Sequence, residues 1–250
     1  MRAGVTLVRI SLHGDTPELH DQQVGVPGAL AKALEGIAHL KRLGVPVGVN
    51  VVVNRLNVEA LPKVFAFFLD EVGIKDFGLI YPLYEGDMAA NAGRAKVSMT
   101  EAAPHIRAAF DVFRERGAEP PFLLNLTPCA LPGYEGRVLR WSSTSAAIYD
   151  AAGTMIIDPE EYTLDQPGGA KKTLDSDNRQ GRRQVSACAT CVYADRCLGV
   201  ETRYLETFGE EEFAPLAAAP PPFDARWPGA ASWRRILTEE ERRALRRQPA

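Results

Sequence analysis

The chain has 250 residues, 46% hydrophobic and 24% charged, which is the profile of a globular protein and not of a disordered or fibrous one. Its formal net charge is −3 and its basic residues are dispersed, apart from Gly-Arg-Arg-Gln at 181–184 and a run near the C-terminus, so composition gives no ground for nucleic-acid binding. The apolar run Val45–Val53 is about half the length a membrane helix needs, Arg9 interrupts the N-terminal apolar stretch, and four cysteines do not make a secreted disulfide framework, so the chain reads as cytoplasmic and free of membrane.

Residues 5–14, Val-Thr-Leu-Val-Arg-Ile-Ser-Leu-His-Gly, read as a strand that ends in polar residues. Leu30, Leu34, Ile37 and Leu40 then recur at helical spacing, and Gly44 stands where a C-cap belongs. Residues 45–54 are β-branched, as in a strand buried on both faces. Leu61, Val64, Phe65, Phe68 and Val72 define one face of a second helix that Gly73 stops. Residues 75–84 form a third strand, and residues 100–117 a third helix, opened by Thr100 and closed by Gly117. Strands and helices alternating in this way imply an α/β architecture with a parallel sheet. The connection over residues 84–98 is longer than the ~2–6 residues usual in such units, which suits a lid or binding loop.

The pattern changes after residue 118. Prolines and glycines crowd residues 121–136, and residues 145–162 read as a β-hairpin with Ile148, Tyr149, Met155, Ile156 and Ile157 as its packing residues. A polar stretch leads to a cysteine-rich segment, a short helix follows near residues 200–213, and a Pro/Ala-rich linker with a terminal helix ends the chain. The expected divisions are therefore 1–118, 119–217 and 218–250.

Cys188, Cys191 and Cys197 follow the spacing Cys-x2-Cys-x5-Cys, and Cys129, set between two prolines, is the only other thiol. Iron–sulfur clusters and structural zinc both take four soft ligands, so three near and one remote is a natural count. Three readings follow from the residues: an iron–sulfur cluster on these four cysteines, a zinc ion on the same four, or a thiol redox pair or inert thiols. Spacing does not separate iron from zinc. His13, His20, His39 and His105 are the other soft donors, all in the first part of the chain.

Residues 8–73 resemble the second half of a radical S-adenosylmethionine (SAM) enzyme barrel. The resemblance rests on the Ser-Leu-His-Gly strand end, the stretch with His20, Asp21 and Gly25, the Leu40-to-Gly44 helix end and Val-Asn-Val-Val-Val-Asn. Residues 77–87 fit a further strand and its loop. The segment after Cys188, with Gly199 and Tyr204, is similar to the auxiliary-cluster region of the twitch or SPASM subgroup, in its single-cluster twitch form.

The resemblance implies the last three βα units of a (β/α)6 barrel, followed by a small domain with a β-hairpin that holds an auxiliary [4Fe–4S] cluster on Cys129, Cys188, Cys191 and Cys197. It implies that Ser11 touches the ribose or carboxylate of SAM, that Asn50 meets its methionyl part, and that the backbone at Ile80 and Tyr81 flanks its adenine. Glu85, Asp87, Arg94 and Lys96 in the long loop would meet a peptide or small-molecule substrate. The complete enzyme would cleave SAM to a 5′-deoxyadenosyl radical.

The Cys-x3-Cys-x2-Cys motif that holds the family's radical-generating cluster does not occur in this sequence. The resemblance therefore implies a carboxy-terminal portion, its first half encoded upstream or supplied by a separate chain, and no SAM cleavage by this chain alone. The rival reading is a non-catalytic, zinc-stapled domain that binds a protein or peptide.

Overall fold

The computed structural model describes residues 7–139 and 180–220, together with residue 169 and the strand segments 148–149, 155–157, 163–165 and 171–173. The chain divides into two compact units, Met1–Leu123 and Leu124–Ala250.

In the first unit, β1 (Val8–Ser11), β2 (Val47–Val52) and β3 (Asp76–Ile80) run parallel. The register pairs Ser11 with Asn50 and Asn50 with Gly78, so residues at period two share a face across all three strands. One face carries Val49, Val51, Phe77 and Leu79, all buried. The other carries Arg9, Ser11, Gly48, Asn50, Asp76 and Gly78. The sheet order continues from β3 to β4 (Phe122–Leu124); β5 (Val138–Leu139) belongs to the second unit. This is the α/β class expected, with a parallel sheet compatible with part of a barrel or of an open doubly wound fold.

The helices follow the apolar pattern, with instructive differences at their ends. An additional helix, α1 (Pro17–Val24), precedes the first one expected; the Thr16 hydroxyl accepts from Leu19 N–H, Pro17 opens it, and Gly25 at φ 72° ends it. The next helix, α2 (Ala29–Arg42), follows Gly28 and has no cap of its own. The Asp21 carboxylate on α1 supplies one instead, accepting from Gly28 N–H at 2.6 Å and Leu30 N–H at 2.9 Å.

Helix α3 (Leu61–Asp70) buries Leu61, Val64, Phe65 and Phe68 as expected, but ends before Val72. Two short helices, α4 (Gly86–Ala90) and α5 (Ala92–Ala95), fill the connection expected as a loop. The last helix of the unit, α6 (Met99–Glu115), starts one residue before Thr100. Its cap is Ser98, whose hydroxyl accepts from Glu101 N–H while the Glu101 carboxylate accepts from Ser98 N–H; a Ser-x2-Glu capping box outcompetes a lone Thr. The α3 and α6 faces meet β3 through Phe65, Phe77 and Phe113, whose ring centroids lie 5.1–5.5 Å apart in edge-on contacts.

In the second unit, β6 (Ile148–Tyr149) and β7 (Met155–Ile157) pair antiparallel, which is the expected hairpin; the residues that join them lie outside the described ones. A second antiparallel pair, β8 (Thr163–Asp165) and β9 (Lys171–Thr173), stands where the sequence offered only a polar stretch. β10 (Arg182–Arg183) and β11 (Val200–Glu201) bracket the cysteine segment, and α7 (Thr202–Phe208) follows, capped by the Glu201 carboxylate. Of the linker and terminal helix expected over 218–250, residues after 220 lie outside the described ones. Among the described residues, no helix is long and apolar enough to cross a membrane.

Candidate functional site

Each unit carries one concentration of chemistry. In the first it lies on the polar sheet face and at the carboxyl ends of β1, β2 and β3, where parallel strands gather functional groups. Ser11 is exposed at the end of β1, and Asn50 is half-buried beside it. The Asn50 Oδ1 accepts from Arg9 Nη1 at 3.2 Å, and Arg9 Nη2 is paired with the Asp76 carboxylate. The same guanidinium lies 5.2 Å over the Phe122 ring.

Glycines make this crossing of side chains possible. A Cβ at Gly48 would stand 2.8 Å from Asp76 Oδ2, and one at Gly78 would stand 2.5 Å from the Phe122 ring and 2.6 Å from Asn50 Oδ1. Asn50 stands out in the sequence as a candidate contact, whereas Arg9, Asp76 and Gly78 do not. Their pairing depends on register, which no single stretch displays.

Ile80 is half-buried at the end of β3. Tyr81 is buried, and its hydroxyl, like that of Tyr84 at 3.1 Å, donates to the Val97 carbonyl, so the ring fastens the following loop and leaves only its backbone to a ligand. Glu85, Asp87, Arg94 and Lys96 are all exposed. The loop's far end is held by Arg55, which donates from its backbone to Ala95 O, from Nε to Lys96 O, and from Nη2 to Glu101.

Beside these residues lies a polar network that sequence reading left unused. His13 Nδ1 accepts from Val52 N–H at 3.2 Å, and His20 Nδ1 accepts from His13 N–H at 3.1 Å. Gln23 and Asn57 both donate to the His13 carbonyl, and Asn54 donates to Gln23 Oε1. Ser-Leu-His-Gly and His20-Asp21 are its signal in the sequence.

The second unit holds every cysteine of the chain. Among the described residues the four are free thiols, each half-buried. Successive turns carry three of them: Cys188 N–H donates to Val185 O, Cys191 N–H to Cys188 O, and Cys197 N–H to Tyr193 O. Gln184 Nε2 bridges the Ala194 and Cys197 carbonyls at 2.6 and 3.1 Å, pinning the segment from one side. Two sulfurs have polar neighbours of their own: Gly199 N–H points at Cys197 Sγ, and Thr127 Oγ1 lies 3.4 Å from Cys129 Sγ.

The thiols also feel one another. Burial pushes the Cys129 thiol up, and the charges of Cys188 and Cys191 push it further against the opposing Thr127 bond. Burial pushes Cys197 up to about 11, with Cys129 and Cys188 adding to it and the Gly199 N–H opposing. The remote Cys129 therefore lies within electrostatic reach of the clustered three. Among the described residues, however, no group of three or more His, Cys, Asp or Glu side chains is drawn together as a metal-ion site. The donor set suits a thiophilic metal or cluster; the closed ligand geometry is not in place.

No family model matches the chain. The chain is 41% identical over 63 residues to an AdoMet-dependent heme synthase from Oleidesulfovibrio alaskensis, which covers 25% of this chain and 16% of the relative. It is 36% identical over 63 residues to an AdoMet-dependent heme synthase from Methanosarcina barkeri, covering 25% of this chain and 18% of the relative. The matched stretch thus spans about a sixth of the length of these curated relatives. A partial similarity to proteins that use S-adenosylmethionine is what the chain shows.

Proposed function

We propose that the chain is part of a radical SAM protein: the last three βα units of its barrel, followed by a domain that holds an auxiliary [4Fe–4S] cluster. The partial match to two AdoMet-dependent proteins supports the first half of this reading. We carry over from those relatives the dependence on S-adenosylmethionine and not the heme product, because the match covers a quarter of this chain.

What supports the second half is the donor set: Cys188, Cys191 and Cys197 come from one segment and Cys129 from far along the chain, and burial, with a smaller contribution from neighbouring cysteines, raises the Cys129 and Cys197 thiols. Their four thiolates would hold the cluster, which supplies electron transfer or a rigid staple when bound. With four protein ligands no iron is left open, so direct substrate binding at the cluster is disfavoured.

Ser11, Asn50 and the backbone at Ile80 and Tyr81 would line the SAM end of the barrel, and Glu85, Asp87, Arg94 and Lys96 a peptide or small-molecule substrate. The chain carries no Cys-x3-Cys-x2-Cys. Reductive SAM cleavage is accordingly assigned to the whole barrel, completed by further sequence or by a partner chain, and this chain alone is expected not to turn SAM over.

The test is to purify the chain without oxygen, reconstitute it with iron and sulfide, and measure metal and sulfide per chain. About four of each, with a brown charge-transfer band, is expected. A colourless protein that takes zinc and no iron would replace this reading with a zinc-stapled domain that binds a protein or peptide.

A further inference from the structure

The histidine pair in the first unit has a proton arrangement that its surroundings dictate. A backbone N–H can only donate, so Val52 N–H and His13 N–H each require a lone pair on the imidazole Nδ1 they meet. In the neutral ring the proton must then sit on Nε2, in His13 and in His20 alike. Neither ring can turn over without stripping a backbone donor of its acceptor and leaving it unsatisfied. The amides of Gln23 and Asn57, both donating to the His13 carbonyl, hold that strand end in place.

Charge agrees with geometry. Burial, joined by the charge of His20, lowers His13 to about 4. Burial also lowers His20, against the pull of Asp21. Both rings are neutral near pH 7.

This excludes two common histidine roles. Metal binding through Nε2 would need the proton on Nδ1, where a backbone N–H already points. General-base action needs a free lone pair, and both are engaged. Two neutral Nε2–H donors remain, and among the described residues neither meets an acceptor in the protein. The rings lie side by side, centroids 5.9 Å apart and planes tilted by 34°, with His13 half-buried and His20 2% exposed.

We propose that His13 and His20 form a ligand-binding pair, two fixed neutral N–H donors that hold the carboxylate of a small molecule at the carboxyl end of β1. A singly charged carboxylate suits them better than a phosphate dianion, which calls for guanidinium or ammonium partners. The adjacent Asp21, tied to the N-terminus of α2, adds a negative charge that a dianion would meet. The inference stands apart from the thiols of the second unit and does not depend on any metal there.

The test is histidine 15N NMR on the full chain. His39→Gln and His105→Gln together leave only the His13 and His20 signals of the four histidines. At pH 7 both rings should appear as neutral Nε2–H tautomers. Acetate should then shift both Nε2 signals saturably, while chloride at matched ionic strength should not. S-adenosylmethionine added as a second probe distinguishes the source: displacement of acetate assigns the pair to that cofactor's carboxylate, and no displacement assigns it to a substrate carboxylate. An Nδ1–H tautomer in either ring, or no saturable shift with either probe, overturns the proposal.

Discussion

Gly199 approaches Arg183 so closely that a Cβ at position 199 would lie 2.1 Å from the Arg183 carbonyl oxygen. The contact is with backbone, so no rotamer change relieves it, and the φ of 84° excludes most side chains independently. Gly199→Ala is expected to cost about 3 kcal/mol of stability in the second unit. Urea unfolding followed by tyrosine fluorescence checks this. A midpoint unchanged from the parent protein would show that the backbone at Gly199, just before β11, yields more readily than its geometry implies.

The same backbone places the Gly199 N–H on Cys197 Sγ. With the thiol raised to about 11 from an ordinary 9, its thiolate fraction at pH 8 falls about a hundredfold. The metal-free folded chain should therefore alkylate Cys197 with iodoacetamide about a hundredfold more slowly than the urea-unfolded chain. Mass spectrometry of the labelled peptide gives both rates, and equal rates would remove burial as the controlling effect. Metal or cluster binding must expel this proton, so uptake should strengthen as pH rises.

Cys129→Ser tests whether the remote thiol is a ligand or a neighbour. Losing even an outer-sphere partner of a metal costs about 10–100-fold in affinity, and losing a ligand should cost more. Reconstituted metal content should fall to that of a variant lacking Cys188 and Cys191. Retention of the parent's content would leave Cys129 as a buried thiol that merely borders the cluster of three.

These residues also mark where sequence reading succeeded and where it stopped. Leu61, Val64, Phe65 and Phe68 were legible because a helix face repeats in one continuous segment. The hairpin of β6 and β7 was legible from its paired apolar runs. The Arg9–Asp76–Asn50 crossing was not, because its members are 41 and 67 residues apart and are brought together by strand register and two glycines. The short helix α1 was missed because its segment is mostly polar and offers no apolar stripe; its cap, Thr16-Pro17, was the available sign. His13 and His20 are legible as soft donors and as parts of the family-like stretches, but their tautomers depend on backbone donors that a sequence does not display.

Phe65 joins β3 to α6 through two edge-on ring contacts, 5.5 Å to Phe77 and 5.1 Å to Phe113. It is fully buried, so truncation leaves a cavity as well as lost transfer energy. Phe65→Ala should destabilise the first unit by about 3–5 kcal/mol, and Phe65→Leu by appreciably less. Denaturant titration of both variants checks the ordering; equal losses would mean that the ring contacts themselves, and not filled volume, dominate.

His13 sets the acid side of the stability profile. Its folded value near 4 lies below the ordinary 6.5, so between these two pH values the unfolded chain binds a proton that the folded chain refuses. Stability is then full above pH 6.5 and declines as pH falls toward 4, by about 2 kcal/mol at pH 5. His20, also lowered by burial, acts in the same direction. The carboxylates held low by hydrogen bonds, Asp21, Asp70 and Glu101, lose their contributions only at more acid pH and do not confuse this window. His13→Gln keeps an oxygen that can accept from Val52 N–H but removes the titration, so its urea midpoint should change less between pH 7 and pH 5 than the parent's. A variant as acid-sensitive as the parent would place the titrating group elsewhere and dissolve the argument that His13 is kept neutral by its burial.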